Sequence, residues 1–268
     1  MIQKIAAQIR SLIGRRRPET AIILGSGLGA LADEITDSVS ISYADIDGFP
    51  QSTVQGHGGK LIIGRLENKE ILCMQGRFHL YEGHKPQVIN TVIKDFQLLG
   101  IKNLIVTNAA GSLNPEFAPG SLMLIKDHIN FSGTNPLIGP NDDRYGPRFP
   151  GMADAYTAEW RHKIKELAAE RNIPLNEGVY LWALGPCFET AAEIKMFRLF
   201  GGDAVGMSTV PEVICAAHSG MKVLGISVIT NYGTGMNHSM PSHEETLREG
   251  QKAAADLTAL IKAFIGEL

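Results

Sequence analysis

The chain is short of cysteine, aromatic residues, unbalanced charge and long apolar runs, and these shortages exclude whole classes of protein. Three cysteines in 268 residues, Cys73, Cys187 and Cys215, are odd in number, far apart and in no C-x-x-C pair. They suit no disulfide framework and point to a reducing cytoplasm. Lys and Arg number 25 against 28 Asp and Glu, a net charge of −3, so no global positive field exists to hold nucleic acid. The longest uncharged stretch, Val223 to His243, is broken by Asn231, Asn237, Pro241 and several glycines, which excludes a membrane span. Near the N-terminus, Ile2, Ile5, Ile9, Leu12 and Ile13 recur at helical spacing rather than as the continuous run of a signal peptide. No Cys/His cluster has ligand spacing, HEETL at His243 is not H-E-x-x-H, and no G-x-S-x-G elbow occurs. Metal catalysis and serine hydrolysis are therefore not expected.

What the chain does have is a 44% hydrophobic fraction and 29 glycines, the latter well above the average of about 7%. The apolar fraction and low net charge exclude disorder. Short β-rich runs (Ala21–Leu24, Lys60–Leu66, Glu70–Met74, Asn103–Thr107, Ser121–Lys126, Val179–Ala183, Lys222–Thr230) alternate with helical patterns. The helices are expected in the N-terminal segment and over Pro86–Leu99, Ala155–Arg171, Thr190–Phe200, Pro211–Ser219 and Ser242–Ile265. This alternation predicts an α/β fold, a parallel or mixed sheet with helices on both faces, in a single domain over residues 1–268. The aperiodic stretch Asn130–Gly151, rich in Pro, Gly and Asn, is long enough to be functional or at an interface.

Five strand-end segments carry the chemistry. Gly25-Ser26-Gly27-Leu28-Gly29 follows the strand AIIL; backbone N–H groups and a hydroxyl can converge there on an anion. With Ala30 it also fits a dinucleotide fingerprint, which keeps a nicotinamide-dependent oxidoreductase open at this point. In GRFHLYEG, continued strand geometry would put Arg77, His79 and Tyr81 on one face, a cation, an imidazole and a phenol suited to an anion and a sugar. The bland alternative is the polar face of an edge strand. TNAAGS, residues 107–112, closes another strand with small residues that admit a ligand close to the backbone. In GPCFET, Phe188 can stack on a ring and Glu189 accept its N–H, or Glu189 can simply favour a helix start. Cys187 there reads as packing rather than nucleophile. Asn231 in ITNY offers a donor and an acceptor together, as a heterocycle edge requires. Much of the glycine excess, Gly25, Gly27, Gly29, Gly76, Gly83, Gly111 and Gly185 included, falls in or beside these turns and reads as close backbone approach.

GSGLG, FPQSTVQGHGG, GRFHLYEG, TNAAGSLNPEF, KDHIN, GPNDDRYGPRFPGM, GPCFETAAEI, GMSTVPEV, ITN and HEETL occur in one order over almost the whole chain. This combination resembles the trimeric purine nucleoside phosphorylases that act on 6-oxopurine nucleosides, with GSGLGALAD and AAGSLNPE most similar to bacterial members, including xanthosine phosphorylases. The resemblance displaces the dehydrogenase reading. It implies one α/β domain with a mixed, partly barrel-like central sheet, a homotrimer with sites at subunit interfaces, and reversible phosphorolysis with phosphate as co-substrate and no cofactor. The family's phosphate site would correspond to Ser26, His57, Arg77, His79, the Ala109 backbone N–H and Ser208. Ribose would meet Tyr81, Met207 and His243, with Phe149 reaching in from a neighbouring subunit. The purine would lie against Phe188, near Tyr180, held by Glu189 and Asn231, so that Asn231, Glu189 and His79 carry catalysis. Mammalian members have Lys where Tyr232 stands, a segment after Asn231 two residues longer, and different residues at Ala183 and Cys187. These departures concern selectivity at the purine 2-position.

Overall fold

A computed structural model describes residues 2–53, 58–237 and 242–268; nothing is described of the side chains of His243 and Glu245. Among the described residues nine strands run in chain order: β1 Thr20–Leu24, β2 Thr36–Ser42, β3 Lys60–Leu66, β4 Lys69–Gln75, β5 Asn103–Ser112, β6 Leu122–Asn130, β7 Leu175–Trp182, β8 Ala204–Gly206 and β9 Lys222–Tyr232. They form one sheet of order β2-β3-β4-β1-β5-β8-β7-β6-β9. A further β5–β9 pairing closes the last five strands into a barrel. The sheet is mixed, with β1 parallel to β4 and β5, and β3 antiparallel to β4. The helices are α1 Ile2–Ile13, α2 Gln87–Leu99, α3 Ala158–Glu170, α4 Ala191–Leu199, α5 Val210–His218 and α6 His243–Glu267.

Alternation within the strands sorts the core into two layers. In β1, Ala21 and Ile23 belong to one cluster with Ile5, Ile9, Ile93 and Phe96 of α1 and α2. Ile22 and Leu24 belong to the other, with Ile164, Leu257, Leu260 and Phe264 of α3 and α6. Helices thus cover both faces, which is why β1 is buried at all five positions and reads as an unbroken apolar run. Among the described residues, no helix is long and apolar enough to cross a membrane.

The expected α/β class and mixed, barrel-containing sheet are found, but several boundaries differ. β2, TDSVSIS, has only Ile41 buried; it pairs with β3 alone, so it needs no apolar alternation and leaves no periodic trace. β8 is three residues long and shares no pattern. β5 and β9 run on to Ser112 and Tyr232, so TNAAGS and ITN lie within strands rather than after them. β4 ends at Gln75, and Gly76 at φ 116° turns the chain away from the strand. The face expected for Arg77, His79 and Tyr81 is therefore not a strand face. GSGLG leads into a short 3₁₀ turn, Gly29–Glu34, and not an α-helix, which removes the geometry a dinucleotide fingerprint needs. α4 begins at Ala191, capped reciprocally by Thr190 and Glu193, so Glu189 lies outside the helix it was expected to open.

Candidate active site

The carboxyl ends of β1, β4, β5, β8 and β9 converge on a cavity of about 530 Å³, within the usual range for small-molecule sites. Gly25 lets β1 approach β5 closely: a Cβ there would lie 2.7 Å from the Asn108 Cα. Its N–H donates to Thr107 Oγ1 at 3.1 Å, which fixes Ser26 at the cavity wall.

One end is built around Arg77, which is 1% exposed. Arg77 Nη1 donates to Ser208 Oγ at 2.7 Å and Thr209 Oγ1 at 2.8 Å. Asn108 Nδ2 also donates to Thr209 Oγ1, at 2.9 Å. His79 stacks on Tyr81 with ring centroids 4.6 Å apart. Its Nδ1 lies 3.4 Å from Glu82 Oε1, which also accepts the His79 backbone N–H at 2.7 Å. Glu82 Oε2 accepts both the N–H and the hydroxyl of Thr53. Burial works to raise the Glu82 carboxyl, but the hydrogen bonds from His79 and Thr53 outweigh it and hold it down at about 2. Burial lowers the His79 imidazole, against the opposing pull of Glu82. With Nδ1 turned towards the Glu82 carboxylate, Nε2 is the ring nitrogen left for a ligand.

The other end carries Phe188, Glu189, Met207 and Asn231. Asn231 Oδ1 accepts from Thr230 Oγ1 at 3.0 Å, and Nδ2 donates to the Tyr232 carbonyl at 3.0 Å. A carboxamide has two donor hydrogens and two acceptor positions, so this amide is fixed in orientation with one of each left over. Burial raises the Glu189 carboxyl above its ordinary range, and Glu193 adds to the rise.

Ten expected site residues line this cavity: Ser26, Arg77, His79, Tyr81, Ala109, Phe188, Glu189, Met207, Ser208 and Asn231. Tyr180 does not line it. It is wholly buried behind β8, where a Cβ on Gly206 would collide with its hydroxyl, and that hydroxyl accepts the Ser208 N–H at 3.5 Å. Its place is to support the wall, because β7 points the ring into the barrel. Phe149 is 87% exposed on the segment between β6 and α3, away from the cavity of its own chain. His57 lies outside the described residues, as does the side chain of His243, although that residue opens α6 and Thr246 one turn on lines the cavity. Sequence reasoning missed Thr53, Glu82, Asn108 and Thr209. The H-x-x-E spacing of His79 and Glu82 was a readable capping signal; the others sit in quoted motifs without a local pattern. Cys187 is exposed, not packed, while burial pushes the Cys73 thiol up to about 12. Among the described residues, no group of three or more His, Cys, Asp or Glu could hold a metal ion.

A mixed sheet closed into a five-stranded barrel, with an arginine–histidine–hydroxyl cluster and a carboxamide–carboxylate pair at its strand ends, is the architecture of an α/β enzyme with a small-molecule site. The family described as "Phosphorylase superfamily" matches residues 19–266, and the chain belongs to that superfamily as one of its purine nucleoside phosphorylases, pentosyl-transferring enzymes. It is 50% identical to purine nucleoside phosphorylase 1 of Geobacillus stearothermophilus, over 92% of this chain and 90% of that one. Among solved structures, Schistosoma mansoni purine nucleoside phosphorylase with inosine superposes at TM-score 0.94 and 39% identity, covering 100% of this chain and 96% of that chain. The same enzyme with adenosine gives TM-score 0.95 at 39% identity and the same coverage.

Proposed function

We propose that this enzyme carries out reversible phosphorolysis of 6-oxopurine ribonucleosides and deoxyribonucleosides. Inosine and guanosine are the principal substrates and xanthosine a further one; the products are free base and pentose 1-phosphate, as purine salvage requires. The observation that supports this reading is a single cavity whose wall carries Arg77, His79 and Ser208 together with Asn231 and Glu189. Phosphate is bound by Arg77, His79, Ser26, Ser208 and the Ala109 N–H, with His57 beside them. Tyr81, Met207 and His243 hold the ribose, and Phe188 stacks on the purine. The glycosidic bond lengthens first, leaving positive charge on the ribose and negative charge on the base. Asn231 directs its remaining N–H at the N7 and O6 acceptors, and Glu189 accepts N1–H, so negative charge on the leaving purine is stabilised. Phosphate on the opposite face stabilises the oxocarbenium-like sugar and attacks C1′ with inversion. Positioning of two bound reactants, with no covalent enzyme intermediate, provides the acceleration.

The exposed Phe149 supports a homotrimer in which this ring completes a neighbour's ribose site. An inosine assay with and without phosphate tests the reaction class: release of hypoxanthine must require phosphate, and phosphate independence would mean a hydrolase. Xanthosine and adenosine measured beside inosine test the selectivity. Adenosine is expected to be poor, since Asn231 suits a 6-oxo group where aspartate would suit 6-amino; equal turnover of adenosine would reject the 6-oxo reading.

A further inference from the structure

We propose that Glu212 is a positioning residue that aims Arg77 at the phosphate; this rests on the phosphorolysis reading above. A glutamate in the first turn of a helix is ordinarily a surface residue favoured by the helix dipole. Glu212 is instead 4% exposed, and its Oε1 lies 3.5 Å from Arg77 Nε. Its Oε2 meets no hydrogen-bond donor among the described residues, so the carboxylate is not serving as a cap for the backbone of α5.

The rest of the guanidinium is held from the same segment. Nη1 donates to the hydroxyls of Ser208 and Thr209. Thr209 sits at φ 75° and ψ −52°, and Val210 N donates to the Ser208 carbonyl across it at 2.8 Å. That is a γ-turn of the strained hand, which a β-branched residue adopts only where its surroundings enforce it. The enforcement comes from Arg77 and Asn108, both of which donate to the Thr209 hydroxyl. The turn therefore gathers Ser208, Thr209 and Glu212 around one planar fork, the two hydroxyls hydrogen-bonded at Nη1 and the carboxylate an ion-pair partner facing Nε at 3.5 Å. A planar guanidinium held at Nε and Nη1 keeps a single orientation, whereas an arginine free to rotate gives up its directed hydrogen bonds. Glu212 has no route to the substrate itself, since it is absent from the cavity wall.

The test compares Glu212→Gln, Glu212→Asp and Glu212→Leu in steady-state kinetics, with phosphate and inosine varied separately and thermal unfolding followed alongside. Gln keeps an acceptor opposite Nε and removes only the charge, so its KM for phosphate should stay within about threefold of the parent. Leu removes the acceptor and should raise the phosphate KM by about tenfold or more while the inosine KM stays within about twofold. Asp withdraws the carboxylate by one methylene and should raise the phosphate KM by an intermediate factor; it serves as the second variant if Leu does not fold. Three results would overturn the proposal: an unchanged phosphate KM in every folded variant, a parallel rise for phosphate and inosine, or Gln as damaging as Asp. Arg77→Ala, run in parallel, separates the two layers of inference. If it leaves the phosphate KM unchanged, the phosphate site itself is misplaced; if it raises the KM and Glu212 does not, only the positioning role fails.

Discussion

The two ends of the cavity are organised differently. At the Arg77 end the polar groups are buried and already bonded to one another, with Arg77, His79 and Ser208 all below a tenth exposed. At the Glu189 end Phe188 is 44% exposed and Glu189 half-buried, on a segment that precedes α4 rather than within it. Asn231 is the exception there, locked by Thr230 and the Tyr232 carbonyl. The contrast follows from the cost of charge. A buried guanidinium without partners is too expensive to keep, so the anion end must be complete before any ligand arrives. Phe188, Met207 and Asn231 at the other end bear no charge and carry no such cost, and the one carboxylate there, Glu189, is only half-buried.

Three experiments would break or sharpen this contrast, and a fourth tests a buried carboxyl elsewhere. The largest expected effect is Asn231→Ala, which should lower kcat on inosine by roughly 10²–10³ while leaving the phosphate KM nearly unmoved. Full activity in that variant would remove Asn231 from the mechanism. Arg77→Lys keeps the charge and loses the fork, so the phosphate KM should rise by about tenfold or more with nucleoside binding retained. A smaller effect is expected from Glu189. Because burial raises its carboxyl, the ionised acceptor is lost as pH falls at a higher pH than for an ordinary carboxylate of about 4.3. The acid limb of kcat/KM should therefore lie above that range in the parent and vanish in Glu189→Gln, itself slower by about tenfold.

The smallest effect lies outside both ends and bears on stability alone. Asp95 on α2 is as buried as Glu212 but forms no ion pair with a Lys, Arg or His among the described residues; burial pushes its carboxyl up to about 8 against the pull of the Ala6 backbone. The folded state then keeps a proton that the unfolded chain releases near 3.9. Stability is full below that value and falls as pH rises from about 4 to about 8, the reverse of a salt-bridged aspartate. Asp95→Asn should flatten this decline and raise the Tm at pH 8 by about 2 °C or more, with kinetics unchanged. A Tm that falls in parallel with the parent across that range would show that the carboxylate is ionised in the fold.

How much was legible varied with the kind of signal. α6 was clear, since Leu257, Leu260, Ile261 and Phe264 share a stripe and all are buried. β1 was clear because both of its faces are covered. β2 was invisible because an edge strand facing solvent needs no apolar rhythm. Arg77, His79 and Tyr81 were grouped correctly for a reason that fails: they converge through a turn at Gly76 and a 3₁₀ turn at Leu80–Glu82, and not along a strand. Tyr180 was expected near the purine from the resemblance alone; it is wholly buried and does not line the cavity.

By itself the sequence determined the α/β alternation, the apolar layers and the residue types gathered at strand ends, because periodicity and strand-end chemistry are local properties. Only the tertiary structure decided that 131 residues of separation would close to 2.7 Å between Arg77 and Ser208. It also decided that Glu212 would stand behind Arg77 rather than in solvent. Those contacts arise from the strand order β4-β1-β5-β8, which brings the ends of β4 and β8 together, and from the strained turn at Thr209, and no local pattern encodes where two distant strand ends meet.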